Sequence, residues 1–458
     1  MIENDAFKLL LINLFHLNPD DIANILCTTF NKMMVLVVTL TDKHQACPYC
    51  GFTAPKIKEY VTKEITHSAL TTQKCIIKYR ARRYKCSCCG KTYYEFNPFV
   101  FKSQKISILT VHNILKDLKD FNETFTSVAR RYHVSPTSVS TIFDKHVDIG
   151  RNPLPEIINF DEVYAFKSEK SKYVCVLLDF KKQIPVDVLP NRKKEYLLNY
   201  FQKIPLEERK KVKYACSDMY EVYRDVVHKV FPSCCMLLDY FHLSQDFHRK
   251  MNEVRIKVMK GYKDNKASDE YYLLKKFNWL LFKNPEDEDK YGRLFDVERE
   301  RQYNSHFKSY MNYYDLRKKL LEINNDLTIC YSLKLELVDF YSKSTIDNAK
   351  VNLENLIRSC IDTNIDEMIA FSNNLINWKQ EIINSFTIVG TEYKVEADKG
   401  QVVVCNKKVN NAIIENRNKI IKCIKNNANG YTNWSRFRNR VMYVLDPNAT
   451  FSLEPREK

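Results

Sequence analysis

The sequence predicts a multidomain α+β protein: a zinc-binding module, then a helix-turn-helix, then an α/β sheet interrupted by a large all-helical insertion. Three observations predict it. Two cysteine pairs, Cys47-Pro48-Tyr49-Cys50-Gly51 and Cys86-Ser87-Cys88-Cys89-Gly90, repeat one metal-knuckle pattern. The hydrophobic period becomes strand-like at Ile157, and it turns helical again from Leu243 to about Ser385. A length of 458 residues exceeds what one core usually serves, so two to four domains are expected.

Residues 1–40 form an N-terminal segment, read as two short helices and a strand, with Asn18-Pro19-Asp20-Asp21 as the start of the second helix. A zinc-binding module spans 41–100. In each knuckle one tight turn aims two thiols at a single ion, and the glycine that follows lets the backbone fold close to the metal. Cys47, Cys50, Cys86 and Cys89 therefore make a closed, structural tetrahedral zinc site, with His44 and Cys88 as bystanders. Between the knuckles, Cys75 to Tyr84 reads as a basic strand carrying Arg80, Arg82 and Arg83. The ten cysteines outside the knuckles have no regular spacing, as expected of reduced thiols in a reducing compartment.

Residues 101–150 read as a helix-turn-helix. Lys105 to Phe121 has a helical apolar stripe, and Phe125 to His146 divides into two helices at His133-Val134. Ser135 caps the second helix and Pro136 takes its first position, where a missing amide hydrogen costs nothing. Val128, Ala129, Val134, Val139 and Ile142 supply the core, and Thr137, Ser138, Ser140 and Thr141 would face a DNA groove. His133 stands where a glycine is usual; an ordinary helical hairpin is the competing reading.

Strands are expected at Ile157–Phe160, Tyr173–Phe180, Ile184–Leu189, Val212–Ser217 and Cys234–Leu238, with helices at Lys193–Gln202 and Glu221–Val230 between them. This α/β unit occupies 151–242. A helical region, 243–387, follows, and 388–458 holds a hairpin at Ile388–Val404 and a helix at Asn410–Lys425.

The formal charge of +16 is unevenly placed. Residues 41–110 hold 13 Lys/Arg against 4 Asp/Glu, and residues 401–458 hold 11 against 4. A polyanion is the partner such stretches favour, because each cation placed on a phosphate releases a condensed counterion. The early apolar run Met33–Leu40 is too short to span a bilayer, and the acidic start is unlike a secretory signal, so a soluble protein kept in the cytoplasm and needing no membrane is expected.

Three acids stand where chemistry rather than packing would place them. Asp161 ends the first strand of the α/β unit, Asp218 follows its fourth, and Glu415 lies on the late helix. Neighbouring strands would bring Asp161 and Asp218 together, and like charges at that distance repel unless a cation bridges them. Carboxylate ligands suit magnesium or manganese, and two such ions support in-line phosphoryl displacement.

The whole chain resembles bacterial insertion-sequence transposases of the ISL-three family. The resemblance rests on the paired knuckles, the run Arg82-Arg83-Tyr84-Lys85-Cys86-Ser87-Cys88-Cys89-Gly90-Lys91-Thr92-Tyr93-Tyr94-Glu95, the helix-turn-helix and Asp161-Glu162. At the far end Glu415, Asn418, Ile421, Lys422 and Lys425, followed by Asn429-Gly430-Tyr431 and Phe437-Arg438, are similar to the family's terminal motif. The resemblance implies an RNase H-like nuclease fold interrupted by the helical insertion. It also implies a DDE triad of Asp161, Asp218 and Glu415 holding two magnesium or manganese ions. Asn416 stands where the family usually has glycine, and Glu392 and Glu396 are alternative third acids. Asp239-Tyr240-Phe241-His242 matches an Asp-x-x-His element of several transposase families, and His242 is either an active-site neighbour or a satisfied core histidine.

The expected function is binding of terminal inverted repeats in double-stranded DNA, followed by magnesium-dependent strand cleavage and transfer to target DNA. Arg80, Arg82, Arg83, Thr137, Ser138, Lys419, Lys422 and Lys425 are the expected DNA contacts. A homodimer or higher synaptic assembly, to which Trp279 and Trp378 could contribute, would handle two ends together in a bacterial, nucleoid-associated setting. The competing readings are a DNA-binding regulator or decayed transposase without chemistry, and a zinc-bearing RNA-binding protein. The former would keep its DNA affinity after loss of Asp161 or Asp218.

Overall fold

The computed structural model describes residues 2–43, 46–102, 104–166, 171–395 and 402–456, without the side chains of 2–5 and 392–405. The chain opens with helix α1 (Ile2–Leu14) and a five-stranded sheet: β1 (Ile22–Phe30), β2 (Met33–Leu40), β3 (Lys56–Thr66), β4 (Cys75–Lys85) and β5 (Thr92–Tyr94). Their order is β1-β2-β4-β3, with β5 also paired to β4. The second helix expected in residues 1–40 is not formed. Asn18-Pro19-Asp20-Asp21 starts only a single 3-10 turn, and the chain continues as β1. The β1–β2 hairpin closes through Asn31 and Lys32, both with positive φ (46° and 60°), the backbone of a two-residue primed turn. Residues 1–40 thus share one sheet, and one apolar core, with the strands of the cysteine module.

Helices α2 (Ile108–Asp117), α3 (Phe125–Arg131) and α4 (Pro136–His146) follow. Thr124 and Ser135 cap the last two through their side chains. His133 takes the turn with φ 53°, so it carries the left-handed conformation a glycine would normally supply. Val128, Ala129, Val139 and Ile142 are buried together with Val111, Leu115 and Phe143, and Val134 is half-buried against them. Hydrogen bonds lock this unit to the first sheet: Ser68 Oγ donates to the Tyr132 carbonyl (2.8 Å), Ser68 N–H donates to Thr110 Oγ1 (2.8 Å), and His67 joins Ser107 Oγ (2.9 Å) to the Phe15 carbonyl (2.8 Å).

The second sheet contains β6 (Ile157–Val163), β7 (Val174–Asp179), β8 (Pro185–Leu189), β9 (Tyr214–Ser217) and β10 (Cys235–Leu238), close to the expected boundaries. Its order is β10-β9-β6-β7-β8. β10, β9 and β6 run parallel, whereas β7 and β8 are antiparallel to their neighbours. Side chains alternate along β7: Cys175 and Leu177 face α5 (Lys194–Gln202) and α7 (Glu221–Val230), the short α6 (Leu206–Arg209) lying between these two helices in sequence. Val174, Val176 and Leu178 face the opposite side, where the C-terminal helices pack.

Immediately after β10 the chain enters α8 (Tyr240–Lys260), α9 (Asp269–Lys276), two small ribbons (β11 Glu288–Asp289 with β12 Gly292–Arg293, β13 Gln302–Asn304 with β14 Ser309–Met311), and α10 (Tyr313–Glu322). Helices α11 (Asn325–Lys343), α12 (Ala349–Asp362), α13 (Asp366–Asn377) and α14 (Lys379–Asn384) complete this region, which the two ribbons make mainly helical rather than all-helical as expected. It has its own core, and it returns to the sheet where Asn384 Nδ2 donates to the Met236 carbonyl of β10 at 2.9 Å. Trp378 is buried in that core with the Arg224 guanidinium 4.2 Å from its ring centroid, and Trp279 is half-buried against it, so neither tryptophan is an open anchor for assembly.

A hairpin, β15 (Ile388–Val395) and β16 (Val402–Lys408), leads to α15 (Ala412–Asn427) and α16 (Trp434–Leu445). These helices cover the second face of the sheet through Ile414, Ile421, Phe437, Val441 and Met442. Helix α16 also packs on the helix-turn-helix unit. Arg440, 1% exposed, donates to the carbonyls of Asp120 and Glu123 (2.8 Å each), Tyr443 Oη donates to the Leu115 carbonyl (3.0 Å), and Arg436 forms a two-pronged pair with Asp144. No helix among the described residues is long and apolar enough to cross a membrane.

Candidate active site and cysteine cluster

Parallel strands β6 and β9 are in register at Asn159 and Cys216, and two residues further along each lie Asp161 and Asp218. β10 is the next parallel neighbour, and Asp239 follows it directly. Asp161 does not end its strand as expected: it lies inside β6, which runs on to Val163 along β7, but it is just past the pairing of β6 with β9. With Asp218 and Asp239 directly after β9 and β10, the three carboxylates sit at the carboxyl end of the parallel strands, the place where an open α/β sheet holds its ligands. Helix α15 supplies a fourth, Glu415, and α8 supplies His242, one turn after Asp239.

Asparagines set the position of α15. Asn159 Nδ2 donates to Asn411 Oδ1 (2.7 Å) and to the Asn410 carbonyl (2.8 Å), which fastens the start of α15 to the centre of β6. One turn beyond Glu415, Asn418 Nδ2 donates to Asp161 Oδ2 at 2.7 Å. Asp161 Oδ1 accepts the Glu162 amide at 2.7 Å. His242 Nε2 stands 3.8 Å from Asp239 Oδ2 and 3.8 Å from Glu415 Oε1.

Burial is the main reason that the Asp161 carboxyl is pushed up to about 7, with the Asp218 charge adding to it. Burial likewise raises Asp218 to about 6, with repulsion from the Glu162 charge adding to it. Asp239 is also raised by burial, although the amides of Asn411 and Phe241 favour its ionised form. Asp218 Oδ1 and His242 Nε2 are buried and have no hydrogen-bond partner among the described residues. Acids held together, raised and incompletely partnered fit a divalent cation, whose charge would compensate theirs.

Two neighbours carried no separate signal in the sequence. Arg192 pairs with Glu162 and stacks over Tyr220 (4.6 Å) and Tyr173 (4.8 Å), leaving a cation beside Asp218. Asn418 was legible only as part of a motif, and its bond to Asp161 depends on residues 257 positions apart. Glu396 and the side chain of Glu392, the alternative third acids, lie outside the described residues.

The thiols of Cys47, Cys50, Cys86 and Cys89 all lie within 4.8 Å of one another. Cys47 Sγ is 3.7 Å from Cys89 Sγ and Cys50 Sγ is 3.5 Å from Cys86 Sγ. Sulfurs around a tetrahedral zinc are about 3.8 Å apart for a Zn–S bond of about 2.3 Å, so the cage fits this ion. The knuckles are built alike. Gly51 N–H donates to the Cys47 carbonyl (2.9 Å) and Gly90 N–H to the Cys86 carbonyl (3.0 Å), with φ +74° and +70° at the two glycines. Cys88 is exposed and outside the cluster, and His44 lies outside the described residues.

The expected DNA contacts divide. Arg80, Thr137, Lys419 and Lys422 are exposed, and Ser138 and Lys425 are half-buried. Ser138 Oγ is engaged by the capping residue Ser135 at 2.8 Å. Arg82 is committed internally, to Glu95 at 2.8 Å and to the Leu40 carbonyl at 3.1 Å, and Arg83 pairs with Glu59 at 2.7 Å.

A model of the DDE transposase family of the ISL-three type, described as transposase, matches residues 158–397, more than half of the chain. This chain belongs to the ISL-three transposase family. The family match takes in Asp161, Asp218, Asp239 and His242 and ends before Glu415. The chain is also similar to the transposase for insertion sequence element IS1001 of Bordetella parapertussis, 19% identical over 411 residues, covering 89% of this chain and 91% of that protein. Membership in the transposase family makes DNA transposition the process in which its members act, with phosphoryl transfer as the implied chemistry.

Proposed function

We propose that this protein binds the terminal inverted repeats of an insertion sequence and carries out metal-dependent cleavage and strand transfer of its ends. The observation that carries the reading is the convergence of Asp161, Asp218, Asp239 and Glu415 from three parallel strands and one helix, inside a chain of the transposase family. The sheet order β10-β9-β6-β7-β8, with only β7 and β8 antiparallel to their neighbours, supports an RNase H-like fold, and the helical region after β10 reads as an insertion into it.

Asp161, Asp218 and Glu415 are the residues proposed to hold two magnesium or manganese ions. Bound there, the ions would activate the attacking oxygen and stabilise the leaving one. The chain's own part is to fix the acids: the Asn159–Asn411 bond places α15, Asn418 orients Asp161, and Arg192 offsets the charge of Glu162 beside Asp218. A structural zinc ion in the four-cysteine cage would stiffen the first sheet.

DNA recognition is assigned to the zinc module (41–100) and the helix-turn-helix (101–150), with 1–40 as an N-terminal segment. The nuclease core comprises 151–242 and 388–458, separated by the insertion at 243–387. Arg80, Thr137, Lys419, Lys422 and Lys425 retain accessible surface for phosphate or base contact, whereas Arg82 is better read as a structural tie. Handling two ends together calls for a dimer or larger synaptic assembly acting on DNA in the cytoplasm. Phe7, Leu10 and Leu14 are exposed on one face of α1, and a second copy of the chain is the partner proposed for that face.

The test is excision from a plasmid carrying the gene with its native flanking DNA, in magnesium. Release of the element by wild type but not by Asp218→Ala or Glu415→Gln is expected. An intact plasmid with wild type, together with retained binding of end-containing DNA, would leave a DNA-binding protein without chemistry.

A further inference from the structure

A cavity of about 390 Å³ opens between helix α3 and the turn that joins α15 to α16. Thr126 and Arg130 line it from the helix-turn-helix side, and Asn427, Asn429, Asn433 and Arg436 line it from the other. Contacts between the two units hold the walls together. Phe125 of α3 packs edge-on against Tyr431 of the turn, with ring centroids 6.3 Å apart, and Arg436 makes its two-pronged pair with Asp144 of α4. The cavity is separate from the acids: Glu415 lies in the first turn of α15 and Asn427 is its last residue, so about 18 Å of helix lies between them at about 1.5 Å per residue.

Two features of the cavity point to an anion. The first is its lining. Among the described residues no carboxylate faces it, whereas hydroxyl, side-chain amide and guanidinium donors do. Arg436 is neutralised by Asp144. Arg130 is exposed and forms no ion pair among the described residues, in contrast with its neighbour Arg131, which is paired with both Asp117 and Glu123. The second feature is a buried charge behind the wall. Arg440 lies beside Tyr431, which lines the cavity, and its guanidinium is held by the Asp120 and Glu123 carbonyls rather than by a carboxylate. Its Nη1 has no hydrogen-bond partner among the described residues. A buried cation without a paired acid leaves its field uncompensated, and in a low dielectric that field favours an anion on the far side of the Tyr431 ring.

We propose that this cavity holds one backbone phosphate of duplex DNA, through Arg130, Thr126 and the side-chain amides of Asn429 and Asn433. One free guanidinium among neutral donors matches the single negative charge of a phosphodiester. The inference deepens the DNA-binding part of the proposed function and rests on it. Exposed Lys419 and Lys422 lie on α15 between the cavity and Glu415. The phosphate contact thus ties the helix-turn-helix and the helix that carries Glu415 to one stretch of duplex, which sets the distance from the bases met by α4 to the acids.

The experiment measures binding of the full-length, zinc-loaded chain to a duplex carrying the element's native end and to an unrelated duplex of equal length, over a range of salt. Arg130→Gln should weaken both about five- to tenfold at about 0.1 M salt and make the slope of log K against log salt shallower by about one. Asn433→Asp keeps the cap of α16 and places a negative charge in the cavity, so it should weaken both duplexes at least as much, with the melting temperature unchanged. The end duplex is then scanned with single methylphosphonates, each of which removes one backbone charge. One position should weaken wild-type binding, have no further effect in Arg130→Gln, and strengthen binding by Asn433→Asp. An unchanged salt slope in Arg130→Gln, or the absence of any position coupled to both variants, overturns the inference. So does tight binding of inorganic phosphate that is lost in Arg130→Gln while the salt slope for DNA stays the same, because the cavity then belongs to a free anion. The coupled phosphate in a wild type that never excises DNA would support the contact and defeat the strand-transfer reading, and excision without any such coupling would do the reverse.

Discussion

Asn418 donates its side-chain amide to Asp161 Oδ2 at 2.7 Å, joining helix α15 to the central strand β6. The contact gives the carboxylate at the middle of the sheet a fixed orientation and ties it to the helix that carries Glu415. Replacing Asn418 with Asp keeps the size and shape of the side chain and removes the donor. DNA strand cleavage should fall about 10- to 100-fold, as for other outer-shell partners of metal ligands, with far-UV circular dichroism unchanged. An unaltered cleavage rate would remove the positioning role.

Divalent-ion affinity should depend on pH in a defined direction. Asp161 is raised to about 7 and Asp218 to about 6, chiefly by burial, so protons compete with the ion below those values. Calorimetric titration should find affinity rising from about pH 5 to about pH 7 and levelling above about pH 8. A profile flat across that interval would show that neither acid is a ligand.

The same shifts fix how the metal-free protein responds to pH. Both folded-state values lie above the usual 3.8 of an aspartate, so the native state holds more protons than the unfolded one between about pH 4 and pH 7. The stabilising contribution is complete below that window and is lost as pH rises through it. Asp161→Asn should raise the metal-free melting temperature at about pH 8, by the equivalent of ~1–3 kcal/mol, and reduce the stabilisation that added Mn2+ gives the wild type. Scanning calorimetry with and without the ion reads both effects, and a lower metal-free melting temperature in the variant would contradict the account.

Zinc removal should act on the first sheet and spare the second. The thiol cage holds β4 and β5 to the turn at Cys47–Cys50, while the core around Phe160 and Phe201 makes no use of it. Chelation, or Cys86→Ser, should open the region around residues 46–92 to protease and leave the segment from about 157 to 456 resistant. Mass spectrometry of the fragments distinguishes this from uniform digestion, which would mean that the ion stabilises the whole chain.

Arg440 makes a separate test of how the helix-turn-helix is held. Its guanidinium is buried and donates to the Asp120 and Glu123 carbonyls, so Arg440→Met leaves those acceptors with lost partners. A destabilisation of ~2–4 kcal/mol is expected, with faster amide exchange concentrated in residues 106–147. Exchange accelerated instead in β6–β10 would show that α16 serves mainly the sheet.

Much of this organisation was legible in the sequence because local rules agreed with the tertiary outcome. The knuckle glycines take the positive φ that a tight thiol turn requires, and the apolar runs from Ile157 to Leu238 became adjacent strands with acids at the carboxyl end of the parallel ones. The first forty residues were misread because Asn31-Lys32 makes a primed turn without a glycine, and because short apolar runs such as Ile22–Phe30 do not separate strand from helix. The roles of the arginines were hidden for another reason. Arg82 and Arg436 count as cationic surface in the sequence, but their partners Glu95 and Asp144 lie 13 and 292 positions away, and only the folded chain brings them together. Charge density alone therefore overstated how much of the C-terminal segment is available to DNA.

Helix α16 sits between the helix-turn-helix unit and the sheet, touching residues that precede it by some three hundred positions. During synthesis α3 and α4 emerge early, yet the surface that fixes their angle to the second sheet is supplied some three hundred positions later, by α16. A ribosome-bound nascent protein thus has α3 and α4 before it has their final orientation, and before α15 delivers Glu415. The angle between α3–α4 and the acids is therefore set late, when α15 and α16 close over the sheet.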